Sequence, residues 1–242
     1  MKNLYLSLIF TVISFSAFAQ DTIYMDNKYQ DLDTKEGAEY FKIITPTPDQ
    51  KYDFLRTTYF IDGTKKAEHT YDLRGKTKVY DGLHKQFYKS GELFYQLPFK
   101  NGKKHGTLIA YWENGDLRRK DVFKRDKLKK GQVWNEKGEE IEYFEYHIPA
   151  SYPGGEKRLY SFLQENINIP QEHDKDMEVK VVLMFTINPD GDLSEIKIVD
   201  GAPHRYNAEA VRVLTKMPKW NPTKRFGEPI ATRYALPIIF RK

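Results

Sequence analysis

The chain contains no cysteine. That excludes a disulfide framework, a thiolate metal site, a cysteine nucleophile and a lipid-modified cysteine behind a leader. Beyond residue 19 no apolar run approaches the roughly 17 to 25 residues that a membrane-spanning helix needs. Proline occurs twelve times but never as a tract, so no stiff proline-rich spacer is present. The six histidines (His69, His84, His105, His147, His173 and His204) include no pair at the helical spacing that a metal site with a neighbouring carboxylate prefers. His84 and His105 fall in neighbouring repeats and could approach one another across strands, although exposed strand histidines are the plainer expectation. Gly154-Gly155 follows no strand of a dinucleotide-binding unit, and Glu139, Glu140 and Glu142 have no partner acid in a recognisable pocket. With no nucleophile elbow and no cofactor fingerprint, the expectation is a protein that is not an enzyme, with no catalytic residues, no cofactor and no metal.

What is present begins with a leader. The opening twenty residues, MKNLYLSLIFTVISFSAFAQ, carry an early Lys2, an apolar run and the small residues Ala17 and Ala19. This reads as a signal peptide over 1–19, cleaved to leave Gln20 as the new N-terminus. The rival reading is a retained anchor. The formal net charge is +5, unevenly spread: residues 63–135 hold eighteen Lys and Arg against eight Asp and Glu, a balance of +10, which leaves −5 for the rest. A basic patch is expected from Lys103, Lys104, Arg118, Arg119, Lys120, Lys124 and Arg125. It would attract anionic envelope lipid or glycan rather than nucleic acid in an exported protein, unless these lysines merely guard exposed strands.

From residue 82 a repeat is visible: GLHKQFYKSGEL is followed 24 residues later by GTLIAYWENGDL, and then by the shorter GQVWNEKGEEI. Phe87-Tyr88 and Tyr111-Trp112 occupy matching positions, as do Gly91 and Gly115, and Phe99 and Phe123. Each unit predicts two short strands around a glycine turn, and a period in the twenties predicts an array of such units. A weaker copy around Tyr59 to Gly63 places the start near residue 51, with 20–50 as a linker. The pattern resembles the MORN-type repeat in its bacterial variant form over 51–146, which implies an all-β meander of stacked hairpins serving as spacer, scaffold or binding surface.

After residue 146 the texture changes. Pro153, Gly154 and Gly155 open a helix with Leu159, Phe162, Leu163 and Ile167 at helical spacing, and Pro170 closes it. Residues 178–187 alternate, and Asn188-Pro189-Asp190-Gly191 turns the chain into 193–200, a β-hairpin. A second helix is expected from Asn207 as N-cap to Lys216, with Met217 as its last apolar residue, halted by Pro218. Trp220 lies between Pro218 and Pro222 in a stretch that suits neither helix nor central strand. Gly227-Glu228-Pro229 is a further turn, and the alternating run 231–239 contains Pro237, which predicts a strand at a sheet edge.

In that order, PGG before a helix, the DG hairpin turn, a helix leading into MPKWNP and then GEP resemble the TonB C-terminal domain over 147–242. The resemblance implies an α+β fold, two helices on a three-stranded antiparallel sheet, in the periplasm. It also implies capture of an extended peptide of an outer-membrane transporter by edge-strand addition along Ala231, Thr232, Arg233, Tyr234, Ala235, Leu236, Ile238 and Ile239. The leading functional expectation is therefore an exported binding and scaffold protein linked to TonB-dependent transport. Rivals are an energy transducer whose leader is retained, and a scaffold holding envelope glycan or lipid through its basic repeats. An exposed edge also allows a strand-swapped dimer.

Overall fold

Alternating side chains and tight turns build the N-terminal part almost without interruption. The computed structural model describes residues 22–47, 51–171 and 177–241, so the candidate leader 1–19 lies outside the described residues. The chain divides between Tyr143 and Phe144 into two units. Among the described residues no helix is long and apolar enough to cross a membrane.

The first unit is a single antiparallel sheet of thirteen strands: β1 (Thr22–Met25), β2 (Asp31–Leu32), β3 (Tyr40–Pro46), β4 (Phe54–Phe60), β5 (Lys65–Arg74), β6 (Thr77–Tyr80), β7 (Gly82–Phe87), β8 (Leu93–Lys100), β9 (Lys103–Lys104), β10 (Gly106–Tyr111), β11 (Leu117–Lys124), β12 (Lys127–Trp134) and β13 (Glu140–Ile141). The meander expected from residue 51 therefore begins earlier. Three strands from the expected linker 20–50 add to the same sheet, because Phe41, Ile43 and their neighbours pair with β4 in continuous register. Sequence repetition marked only the well-kept copies; the strand pattern outlasts it.

The repeat has a hydrogen-bond basis. At Tyr88 the amide donates to the Glu92 carbonyl and Gly91 donates back to Tyr88; Trp112, Asp116 and Gly115 repeat this, as do Asn135, Glu139 and Gly138, and earlier Phe60, Thr64 and Gly63. Two of these loops also reach the next copy. The Tyr88 hydroxyl donates to the Tyr111 carbonyl at 2.8 Å, and Trp112 Nε1 donates to the Trp134 carbonyl at 3.3 Å. In these two copies the aromatic residue heading the loop thus bonds the strand end just before its successor. The glycine that opens each copy answers a different need: a Cβ on Gly82 would run into the Tyr52 ring, and one on Gly131 into the Tyr143 ring.

Register places Thr58, Ala67, Gln86, Tyr95, Ala110, Arg119 and Val133 in one row across the sheet. Arg119 is consequently buried, contrary to its expected place in a surface patch. Its Nη1 donates to Asp121 Oδ2 at 2.8 Å, both side chains being almost wholly removed from solvent. The Tyr143 ring covers the guanidinium at 5.3 Å, and its hydroxyl reaches Asp121 at 3.5 Å. Burial pushes the Asp121 carboxyl upward, and the Arg119 hydrogen bond and charge oppose this. A buried ion pair is costly to split because the survivor is left uncompensated. Arg119→Ala should lower the stability of the full chain by about 3 to 5 kcal/mol in urea unfolding; a loss below about 1 kcal/mol would refute the buried pairing.

Among its described residues the second unit contains two helices and two small sheets. Strand β14 (His147–Ile148) is followed by α1 (Gly155–Asn166), β15 (Val179–Ile187), β16 (Leu193–Asp200), α2 (His204–Thr215), β17 (Thr223–Arg225), β18 (Glu228–Ile230) and β19 (Thr232–Phe240). The main sheet has the order β16-β15-β19, antiparallel throughout. Val181, Leu183, Phe185, Ile187, Leu236, Ile238 and Phe240 face inward and pack with Leu159 and Leu163 of α1 and Tyr206, Ala210, Val213 and Leu214 of α2. This is the expected α+β arrangement. Three details differ. Helix α2 starts at His204 after Pro203, and Asn207 does not cap it, because its Oδ1 accepts the Ala202 amide of the preceding loop. Met217 lies past its end. The turn expected at 227–229 is centred instead on Phe226-Gly227, with Glu228 and Pro229 already in β18, which pairs with β17 and β14 in a sheet the sequence did not announce.

Candidate functional site

The candidate site rests on a strap that follows α2. Pro218 cannot extend α2, so the chain leaves the helix and crosses the β15–β16 turn. There the Trp220 amide donates to the Gly191 carbonyl at 2.9 Å, and Asn221 and Ser151 exchange amide-to-carbonyl bonds at 2.9 and 3.0 Å. Trp220 is only 3% exposed and meets Tyr152 edge-on at 5.5 Å, Phe185 at 5.7 Å and Tyr234 at 5.0 Å. Gly191 sits at φ +87, and a Cβ there would strike the Trp220 carbonyl oxygen. Lys219 Nζ closes the outside of the contact on Asp192 at 2.9 Å. Pro153, Gly154 and Gly155 bring Tyr152 into this cluster and start α1, Gly154 being left-handed at φ 80. Pro222 then leads into β17, not directly into the last strand. Of the expected signature residues, Gly191, Pro218, Trp220 and Pro222 lie in or against one strap, and Pro153, Gly154 and Gly155 directly follow Tyr152, which meets Trp220.

The strap delivers the chain to β19. Its nine residues pair with β15 from Thr232↔Ile187 to Phe240↔Val179 without a register shift, and among the described residues β15 is its only strand neighbour. Tyr234, Leu236, Ile238 and Phe240 turn inward; Arg233, Ala235, Pro237 and Ile239 are exposed. Ala231 precedes the strand, so the expected edge shortens by that residue and extends to Phe240. The other strand ends of this unit are poor templates: β16 has register shifts and a positive φ at Glu195, β14 has two residues and β18 three with a central proline.

Residues 170–241 match the family model of the Gram-negative bacterial TonB protein C-terminal. The match covers the main sheet, α2, the strap and β19, and begins just after α1. No curated protein and no solved structure matches the chain.

In the repeat unit the basic residues separate. Lys103, Lys120, Lys124 and Arg125 are exposed. Lys104 lies over Phe123 at 4.9 Å, and Arg118 stacks on Trp112 at 4.1 Å. Strand alternation puts the turns at Gly75, Asn101-Gly102 and Arg125-Asp126 on one rim, where Arg74, Lys76, Lys100, Lys103, Lys124 and Lys127 gather. The opposite rim, with the five-residue loops, carries Asp62, Glu92, Glu113, Asp116, Glu136 and Glu139 together with Lys89 and Lys137.

His84 approaches not His105 but His69, at 4.6 Å between rings, and is buried. Arg56 Nη2 lies 3.0 Å from His69 Nδ1, and the Thr70 carbonyl 3.3 Å from His84 Nε2. Burial, with Arg56 nearby, pushes His69 down to about 3 and His84 down to about 4, so both rings are neutral near pH 7. Among the described residues no group of three His, Cys, Asp or Glu is placed to hold a metal.

Trp220→Ala should cost about 3 to 5 kcal/mol in the unfolding free energy of the second unit, as removal of a large buried ring does. Thermal or urea unfolding followed by near-ultraviolet circular dichroism reads it, and an effect below about 1 kcal/mol would remove the strap from the core.

Proposed function

We propose that the second unit captures an extended peptide of an outer-membrane protein by adding it as a strand to β19, in the periplasm, with the repeat sheet as its scaffold. The observation that carries this reading is the nine-residue, unshifted outer side of β19 in a unit whose other edges are bulged or very short. An antiparallel edge exposes alternate amides and carbonyls to a partner. A proline is tolerated in such a strand where its missing donor faces outward; Pro237 then implies that Ala235 and Ile239 present their amides to the open side. The TonB C-terminal match supports the envelope setting and the class of partner. Transport coupling and force transmission are not needed for capture itself.

In the labelled full chain, a soluble Thr/Val-alternating decapeptide should shift the amide resonances of 232–240. Ala235→Pro should remove those shifts while leaving the unfolding transition within about 1 kcal/mol, since only the outward donor is lost. Unchanged binding by Ala235→Pro would sink edge addition.

A second reading is favoured by the basic rim: the repeat sheet rests on an anionic envelope surface through Arg74, Lys76, Lys100, Lys103, Lys124, Arg125 and Lys127. Exposed charges of this kind are screened over about 8 Å at physiological ionic strength. Retention on vesicles containing anionic phospholipid should therefore fall steeply between 20 and about 150 mM salt and be lost in a Lys100→Glu/Lys103→Glu/Lys124→Glu variant. Salt-insensitive retention would exclude it.

A further inference from the structure

The loop rim of the repeat sheet holds a cleft that neither reading above uses. Tyr88, Trp112, Glu113, Asn114, Arg118 and Glu136, drawn from three successive hairpin copies, line about 350 Å³ there. That volume is at the low end of the roughly 300 to 1,000 Å³ of small-ligand sites. The two rings contribute apolar surface, because their polar atoms are already engaged: the Tyr88 hydroxyl on the Tyr111 carbonyl and Trp112 Nε1 on the Trp134 carbonyl. Asn114 is held by its own turn, its Nδ2 donating to Asp116 Oδ2 at 2.8 Å and its Oδ1 accepting the Asp116 amide at 3.0 Å. Arg118 stacks on Trp112 at 4.1 Å and lies over Phe94 at 5.7 Å. Glu113 and Glu136 are exposed, and among the described residues neither carboxylate has a hydrogen bond or ion pair. Both signs of charge act on one ring: burial pushes the Tyr88 hydroxyl upward, Arg118 opposes this, and Glu113 and Glu136 add to it.

The hairpin stack does not require this set. In the preceding copy, 24 residues earlier, Lys89, Ser90 and Phe94 stand where Glu113, Asn114 and Arg118 do, and the loop makes the same pair of main-chain bonds. The charges also restrict the occupant. A cation in the cleft would meet Arg118, and an anion would meet Glu113 and Glu136, so each would place like charges together. A neutral molecule rich in hydroxyls meets neither cost. It can donate to the two carboxylates and accept from the guanidinium, bonds that the charged partner strengthens. Successive loops sit two strands apart, roughly 10 Å, which leaves room for one six-membered ring with a hydrogen bond on either side. We propose that the cleft binds a neutral pyranose sugar, with Glu113 and Glu136 accepting from its hydroxyls and Tyr88 and Trp112 against its C–H face. A unit of a glycan chain and a free monosaccharide share this chemistry. The site is independent of strand addition to β19 and lies on the rim opposite the clustered lysines.

The test titrates the isotope-labelled full chain with neutral tetrasaccharides of glucose, galactose, mannose and N-acetylglucosamine, with the four monosaccharides, and with the charged tetramers of glucosamine and galacturonate. At least one neutral sugar should shift the Trp112 indole resonance and the amides of 112–116 while those of 232–240 stay in place. Both charged tetramers should bind at least about 10-fold more weakly. Glu113→Gln should weaken the neutral sugar about 10-fold, the loss of a hydrogen bond to a charged group. Glu113→Lys/Asn114→Ser copies the preceding loop, so it should abolish binding with the unfolding transition unchanged. A tetrasaccharide that binds more tightly than its monosaccharide identifies a glycan chain as the source, and equal affinity identifies a free sugar. The site is overturned by the absence of any shift with neutral sugars up to about 10 mM, by tighter binding of either charged tetramer, or by undiminished binding to the folded double variant.

Discussion

The second unit depends on the contact between Trp220 and the β15–β16 turn. One main-chain bond to Gly191 and three aromatic faces hold the strap across the end of the main sheet. Without it, the hairpin turn, the start of α1 and the approach to β19 would have no common reference. The contact tolerates no Cβ at Gly191, and it needs a ring large enough to reach Tyr152, Phe185 and Tyr234 at once. The prolines on either side keep the intervening backbone from joining a helix or a ladder, so the ring's position is set by chain stiffness as well as by burial.

The repeat sheet solves a different problem by a related means. A hairpin alone is marginal in water, and here two of the copies are fixed to the next by a side chain from the loop. Tyr88 and Trp112 spend their polar atoms on the carbonyl just before the following loop, which keeps loops on one rim and tight turns on the other. Acids outnumber lysines on the loop rim, where Lys89 and Lys137 also lie, and cations outnumber acids on the turn rim, so the charge imbalance of 63–135 becomes a polarity across the sheet and not a uniform field.

Much of this was legible in residues. The alternation of 178–187, the turn at Asp190-Gly191 and the edge position implied by Pro237 reappear in the structure almost unchanged, because each rests on a local rule. What escaped the sequence was non-local. Arg119 reads as one more cation beside Arg118 and Lys120, and only strand register reveals that it shares a buried face with Asp121. Asn207 has the chemistry of a cap but serves the loop before the helix. The pairing of His147-Ile148 with 223–225 joins segments more than seventy residues apart, with no periodic signal in pieces of two or three residues. The strands at 22–46 were missed because Tyr29 stands where the later loops have glycine, although the Asp26 to Gln30 loop makes the same pair of main-chain hydrogen bonds.

The treatment of sheet edges separates the two units most clearly. A long strand with one free side invites any extended chain to pair with it. The large sheet closes both ends with two-residue strands, Asp31–Leu32 and Glu140–Ile141, too short to template much pairing. The main sheet of the second unit disrupts one edge, β16, with register shifts, then leaves the other regular for nine residues. If open edges were merely tolerated, the unprotected strand should be as short or as bulged as the others. Of these four edges three are short or shifted, and among the described residues β19 keeps its outer side regular for nine residues, which is the geometry that the proposed pairing with another extended chain requires.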